Sequence, residues 1–168
     1  MSRTAFLALA SALLAGCASI PPSSSETDCY DLKVRAKPVG QFYTPLPNDP
    51  NYIVLRWPWF VDLEVTRVID GQLDDPKISA LAVLHSAYVD ETRTWLLREH
   101  TLGGYNILNL AEPEKSKRCA SGEALPEPYL RLSEGETLES LRQAAVAEWE
   151  AEMEAEEQWA RENPEDEG

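Results

Sequence analysis

The sequence predicts a mainly β domain, a small antiparallel barrel or sandwich, followed by one C-terminal α-helix. Within about eighty residues, four or five short segments rich in β-branched and aromatic residues are separated by turn signals, with no helical pattern between them. Near the C-terminus, apolar residues instead recur every three or four positions, which is the period of an amphipathic helix.

The first sixteen residues have the form of an export signal. Arg3 precedes an apolar run from Ala5 to Leu14 that is too short to span a bilayer. The run ends in Leu14-Ala15-Gly16-Cys17, which resembles the lipobox of bacterial lipoprotein precursors. The resemblance implies cleavage before Cys17, lipidation of the Cys17 thiol and acylation of the new amino group. The alternative is an ordinary secretory signal cut after Ala18, which would remove Cys17.

The residue after Cys17 bears on the location of the chain. In lipoproteins of two-membrane bacteria an Asp at this position tends to retain the protein in the inner membrane. With Ala18 there, the resemblance implies the periplasmic face of the outer membrane, with Cys17 as the membrane anchor. Residues 17–28, which contain Pro21-Pro22 and three consecutive serines, are expected to form a flexible tether.

With Cys17 lipidated, Cys29 and Cys119 are the remaining cysteines. An exported domain most simply joins such a pair as a disulfide, which would tie the start of the β domain, residues 29–132, to its end. The alternatives are a redox pair or a metal-binding pair, but the two cysteines lack Cys-x-x-Cys spacing and neither has a His nearby in sequence. We therefore predict a structural disulfide and no metal site.

The strands of the β domain follow from alternation and turn residues. From Tyr52 to Ile69 we expect two extended segments with a bend or edge at Pro58. Alternation of apolar and polar residues from Val61 onward slips at Arg67, which predicts a bulge or a strand that leaves one side of a barrel for another. The remaining expected elements are a short strand within Asp31 to Val39, a central strand from Lys77 to His85, a hairpin of Thr94 to His100 with Gly104 to Leu110, and a loop from Ala111 to Tyr129.

The long bent strand that passes through Val65 to Gly71 into two further strands resembles the oligonucleotide/oligosaccharide-binding (OB) barrel. It is also similar to the netrin-like modules that are built on this barrel. The likeness covers residues 52–110 and implies a fold. It brings no functional residue with it.

A helix is predicted over residues 133–162, with Ser133 or Thr137 as its N-cap and a disordered tail over residues 163–168. One apolar stripe runs along this helix and needs a covering surface, which is the chain's own barrel, a partner protein or a coiled-coil copy. The stripe consists of Leu138, Leu141, Ala145, Trp149 and Met153.

The acidity of the chain is concentrated in its C-terminal part. The net charge is −14, and residues 134–168 hold thirteen acidic and two basic residues. Nucleic acid is therefore not an expected partner, since phosphate binding needs a clustered basic surface. A basic partner or a divalent cation remains open for the acidic helix.

No catalytic set is apparent in the sequence, so we predict a protein without enzymatic activity or a cofactor. His85 and His100 are the two histidines and lack a third ligand at metal-site spacing. His85 with Ser86, Tyr88 and Asp90 has the residue types of nucleophilic chemistry, without a Gly-x-Ser-x-Gly elbow. A surface turn is the simpler interpretation.

Two surfaces remain as candidates for binding. Trp57 and Trp59 flank Pro58 and fall on one face, where they either pack in the core or stack on a ligand. We therefore expect an envelope lipoprotein that binds a partner protein through its C-terminal helix, at Leu141, Trp149 and Met153. The alternative is a small-ligand or glycan-binding module that uses Trp57 and Trp59, and an enzyme acting on envelope polymers is the third class.

Overall fold

The computed structural model describes residues 29–46, 55–110 and 113–163. Five strands form a closed barrel, and one helix follows them. The mainly β fold with one C-terminal helix is confirmed. The barrel strands are β2 (Leu32–Tyr43), β3 (Trp57–Asp70), β4 (Lys77–Leu84), β5 (Arg93–His100) and β6 (Gly104–Ile107). Their order around the barrel is β2-β3-β4-β6-β5, and β5 pairs with β2 to close it. The other elements are a 3-10 turn (Pro113–Lys115), a two-stranded sheet of β1 (Cys29–Tyr30) with β7 (Lys117–Arg118), and α1 (Leu138–Glu162).

Several predictions from the sequence concern residues that the structure does not describe. The export signal, Cys17 and the tether lie outside the described residues, as do residues 47–54 and the tail from residue 164. No helix in the described part of the chain is both long enough and apolar enough to cross a membrane.

Within the barrel, one pair of neighbouring strands differs from the predicted antiparallel arrangement. β4 and β6 pair in parallel, with Ala80 opposite Tyr105 and Leu81 opposite Asn106. The reason is topological, because β5 crosses over to pair with β2 and its hairpin partner β6 then returns between β4 and β5. Gly103 closes that hairpin with φ of +73°, a conformation that suits glycine.

The predicted bulge in β3 is confirmed. Arg35 pairs with Arg67 and Ala36 with Val65, so Thr66 is the extra residue. Of the two extended segments predicted around Pro58, the structure describes the second, β3, which begins at Trp57 and continues through Pro58, whereas residues 52–54 lie outside the described residues. Pro58 is tolerated because it lies next to the first residue of the strand, where a missing N–H removes little of the ladder.

The barrel encloses one apolar core and carries a second one on its outside. Alternating side chains of all five strands fill the interior, and Trp59 packs against them. Phe60 points to the opposite face and joins Leu81, Leu130 and Ala145 in a second cluster beneath α1. The prediction that β4 is central holds, because Leu81 is buried on one face while Ala80 and Ala82 are buried on the other.

The helix starts later than the predicted residue 133. Thr137 is the N-cap, and its Oγ1 accepts from the Ser140 amide at 3.0 Å while its own amide donates to Ser140 Oγ at 2.9 Å. Ser133 and Glu136 instead close a turn around Gly135, whose φ of +85° is incompatible with a helix. At the other end, the Asn163 amide caps the helix by donating to the Trp159 carbonyl.

A disulfide and an ion pair hold the start of the β domain to later parts of the chain. Cys29 and Cys119 form a disulfide next to the β1–β7 pairing. Arg98, which is 1% exposed, donates to both carboxylate oxygens of Asp31 at 2.7 and 2.8 Å and to the Ala124 carbonyl at 2.7 Å. The start of the domain, β5 and the loop after Cys119 are therefore joined at one place.

We expect the double variant Cys29→Ser, Cys119→Ser to unfold at lower urea concentration, with a loss of about 2–5 kcal/mol in the free energy of unfolding. The physical reason is that the disulfide joins residues 90 apart in the sequence and restricts the unfolded chain. The control is the parent protein in a reducing agent, which should acquire the midpoint of the variant. If the oxidised parent protein and the double variant unfold at the same urea concentration, this prediction is contradicted.

Candidate functional site

The N-terminal half of α1 is docked on the outside of the barrel. Leu138 and Leu141 pack against the outer cluster, and Ala145 is 1% exposed within it. Arg142 forms an ion pair with Asp62 on β3, and this hydrogen bond raises the pKa of Arg142. Of the covering surfaces considered for the predicted stripe, the chain's own barrel is the one that Leu141 packs against.

The next two turns make the last polar and aromatic contacts with β2. The Trp149 ring meets Phe42 edge-to-face, with centroids 5.6 Å apart. The Tyr43 hydroxyl donates to Glu152 Oε1 at 2.5 Å. From residue 153 to residue 162 every position of α1 is exposed except Ala160, which is half-buried. The helix thus extends past the strand that supports it.

The apolar side of α1 continues into this extension. Trp159 follows Leu141 by about five turns of 3.6 residues and so projects from the same side of the helix. Ala160 follows Arg142 by the same number of turns and so projects from the same side of the helix as Arg142. The exposed fraction is 40% for Trp149, 38% for Met153 and 55% for Trp159. We call Trp149, Met153, Trp159 and Ala160 the exposed stripe.

Acidic residues surround the exposed stripe. Residues 148–162 contain seven glutamates and one cation, Arg161. Each pair of like charges four residues apart, such as Glu150 and Glu154, destabilises a helix by about 0.2–0.5 kcal/mol. The extension therefore combines apolar exposure with electrostatic repulsion along its own length.

A cavity of about 620 Å³ lies where the start of α1 meets the barrel. Trp57 and Tyr129 line it together with Pro58 and Pro128, and Arg131 and Glu136 supply charges at its border. Its volume and its mostly apolar lining are typical of small-molecule pockets. Segment 128–131, which forms one wall, was not predicted to take part in binding, and its composition carries no periodic signal.

The two tryptophans of the predicted aromatic face have different roles. Trp57 lines the cavity, and its indole N–H donates to the Thr44 carbonyl at 2.8 Å. Trp59 packs against the barrel core and meets the Tyr43 ring edge-to-face at 5.6 Å. The structure therefore brings Trp57, but not Trp59, to the cavity.

The residues considered for catalysis are dispersed. His85 is exposed and its Nδ1 lies 2.9 Å from the Leu55 carbonyl, while Asp90 pairs with Lys37 at 3.2 Å. His100 is 1% exposed, and burial lowers its pKa. The Leu102 amide lies 3.3 Å from His100 Nδ1, within its own hairpin. These contacts hold the side chains in turns and strands.

Within residues 29–46, 55–110 and 113–163, one group of metal-ligating side chains comes close together, namely Cys29, Cys119 and Glu123. Both sulfurs belong to the disulfide, so neither offers a thiolate for a metal ion. The group is accounted for by the cross-link.

Comparison of the chain with models of protein families, with curated proteins and with solved structures finds no match. Inference about function therefore starts from the exposed stripe and the cavity. Trp159 belongs to the stripe but was not predicted with Trp149 and Met153. Its spacing from Leu141 is the signal that identifies it.

Tyr43 reports on the contact between α1 and the barrel. Burial, then the hydrogen bond to Glu152 and the nearby charges of Glu152 and Glu148, raise the pKa of Tyr43 to about 12. Because this pKa is above the ordinary value of 10, the stabilising contribution of protonated Tyr43 is present below pH 10. It is lost as the pH rises through 12.

We expect Glu152→Ala to lower the pKa of Tyr43 below 12 while burial keeps it above 10. The measurement is an alkaline titration of tyrosinate absorbance, with Tyr43→Phe identifying the step that belongs to Tyr43. Glu150→Ala, which removes the same charge from the outer side of the helix, should leave this step in place. A Tyr43 step at the ordinary value in the parent protein would show that α1 is not docked in solution.

Proposed function

We propose that the chain is a non-enzymatic lipoprotein of the bacterial envelope that binds a partner protein through the exposed end of α1. The observation that carries this proposal is the exposed stripe, where Met153 and Trp159 continue the side of α1 that packs on the barrel. Amphipathic helices bind protein grooves through apolar side chains with this spacing. The docked half of α1 holds the exposed half in a helical conformation before binding.

We infer that the partner lies away from the membrane to which a lipid on Cys17 would attach the chain. The chain enters the domain at Cys29, beside the start of β2, whereas α1 makes its last contacts with Phe42 and Tyr43 at the end of β2. A tether over residues 17–28 reaches at most about 40 Å when extended. Anionic lipid headgroups would repel the glutamates of the helix, so a protein partner on the periplasmic side is favoured.

The proposed resemblance is to the OB barrel, which is a five-stranded Greek-key barrel. In this chain the fifth barrel strand, β6, inserts between the third and the fourth, β4 and β5. The first barrel strand, β2, lies before the segment that carried the resemblance. We use the OB barrel only as a scaffold for α1, because nothing in the likeness assigns a ligand.

A second candidate function is the binding of a small ligand or glycan in the cavity beside Trp57. Its volume of about 620 Å³ and its aromatic and proline lining favour this candidate. Trp59 does not contribute to it, since that ring packs against the core. The two candidates therefore depend on different residues, and variants separate them.

For the anchor, we expect Cys17→Ser to abolish labelling with radioactive palmitate in a two-membrane bacterium and to release the protein from the outer-membrane fraction. The loss follows because the thiol that would carry the lipid is absent. Cys29→Ser is the matched control and should retain both label and location. Palmitate incorporation that survives Cys17→Ser would refute the proposed anchor.

For the docking surface, we expect a photo-crosslinking residue at Ala160 to form protein adducts in cells of the native host. The variant Met153→Ser, Trp159→Ser should reduce these adducts at least tenfold, since it removes the apolar contacts. Ala147→Ser, Ala151→Ser changes the outer side of the same helix and should leave them unchanged.

Adducts that are equally strong in both double variants, or no adducts at all, would overturn the proposal. Adducts that disappear with Trp57→Ala while Met153→Ser, Trp159→Ser retains them would move binding to the cavity. The circular dichroism of each variant checks that α1 remains helical.

A further inference from the structure

Carboxylates lie within the exposed stripe and beside it. Glu156 follows Leu138 by about five turns and therefore lies within the stripe side of the helix. Glu148 is near enough to the barrel to raise the pKa of Tyr43. Glu150 and Glu154 project from the outer side. A partner seated on Met153 and Trp159 thus meets the carboxylates of Glu148 and Glu156.

We infer that the partner docks with a basic surface, an apolar groove or helix edged by Lys and Arg. This inference rests on the proposed function and specifies the chemistry of the partner. Cationic side chains on the partner would pair with Glu148 and Glu156, and a guanidinium or ammonium can also stack on the Trp159 ring. Complementary charge would in addition speed association with the acidic end of the helix.

The charges along the C-terminal half of α1 also favour a basic partner. Glu148, Glu152 and Glu156 follow one another at intervals of four residues, so each repels the next along one side of the helix. Arg161, in the last turn, is the one cation of residues 148–162. A basic partner neutralises this repulsion on binding, whereas a neutral apolar partner leaves it in place.

A second copy of this chain does not fit the same surface. Two exposed stripes facing each other would bring the glutamates of one helix against those of the other. Like charges across an interface oppose association. Charge complementarity therefore selects a basic partner over self-association through α1.

The test measures binding of three labelled synthetic peptides of equal length to the full chain in detergent micelles, by fluorescence anisotropy. One peptide is a basic amphipathic helix of Lys and Leu, one replaces each Lys by Glu, and one replaces each Leu by Ser. We expect the Lys/Leu peptide to bind at least tenfold more tightly than either of the others. Its affinity should fall as salt is added, because screening weakens ion pairs.

Matched charge variants locate the binding site. Glu148→Gln, Glu156→Gln should weaken binding of the Lys/Leu peptide about fivefold. Glu150→Gln, Glu154→Gln makes the same change in net charge on the outer side and should alter it less than twofold. Met153→Ser, Trp159→Ser should weaken it at least tenfold.

The outcomes separate this inference from the proposed function. Equal affinity for the Lys/Leu and Glu/Leu peptides, with loss of both in Met153→Ser, Trp159→Ser, would reject a basic partner and keep docking on the stripe. Equal weakening by both charge pairs would reject the assigned site and reduce the effect to net charge. Unchanged binding to Met153→Ser, Trp159→Ser would reject docking through the stripe itself.

Discussion

A mismatch of length between α1 and the barrel surface beneath it leaves the C-terminal turns of the helix exposed. The helix has 25 residues and rises about 37 Å, while its contacts with the barrel extend from Leu138 to Glu152, about 21 Å. The docked part is stabilised by the outer apolar cluster and the Asp62–Arg142 ion pair. The remaining turns need no new helix nucleus, because they propagate from turns that packing and the Thr137 cap already hold.

The opposite end of the domain is fixed by different chemistry. The disulfide and the buried contact between Arg98 and Asp31 join the start of the domain to β5 and to the loop after Cys119. β2 connects this cross-linked end to the strand end where α1 docks, and it pairs with β3 and β5. The cross-linked start of the domain and the docked helix thus lie at two ends of one strand, and barrel closure keeps that strand from shifting.

Sequence reasoning succeeded where the signal was local. The slip of alternation at Arg67 identified the bulge at Thr66, and the spacing of apolar residues identified α1. It failed where residues far apart in the sequence determine the strand pairing. The parallel pairing of β4 with β6 depends on where β5 pairs. Ser133 and Thr137 offered similar caps, and the positive φ of Gly135 selected the second.

The same distinction explains why the exposed stripe is a stronger candidate than the aromatic pair. Alternation placed Trp57 and Trp59 on one face, but a closed barrel has an interior, and Trp59 packs into it. Trp57 lines the cavity, and its indole N–H is bonded to the Thr44 carbonyl. Met153 and Trp159 instead continue the docked side of α1 beyond the barrel. A partner can therefore cover them without displacing any contact between the helix and its own domain.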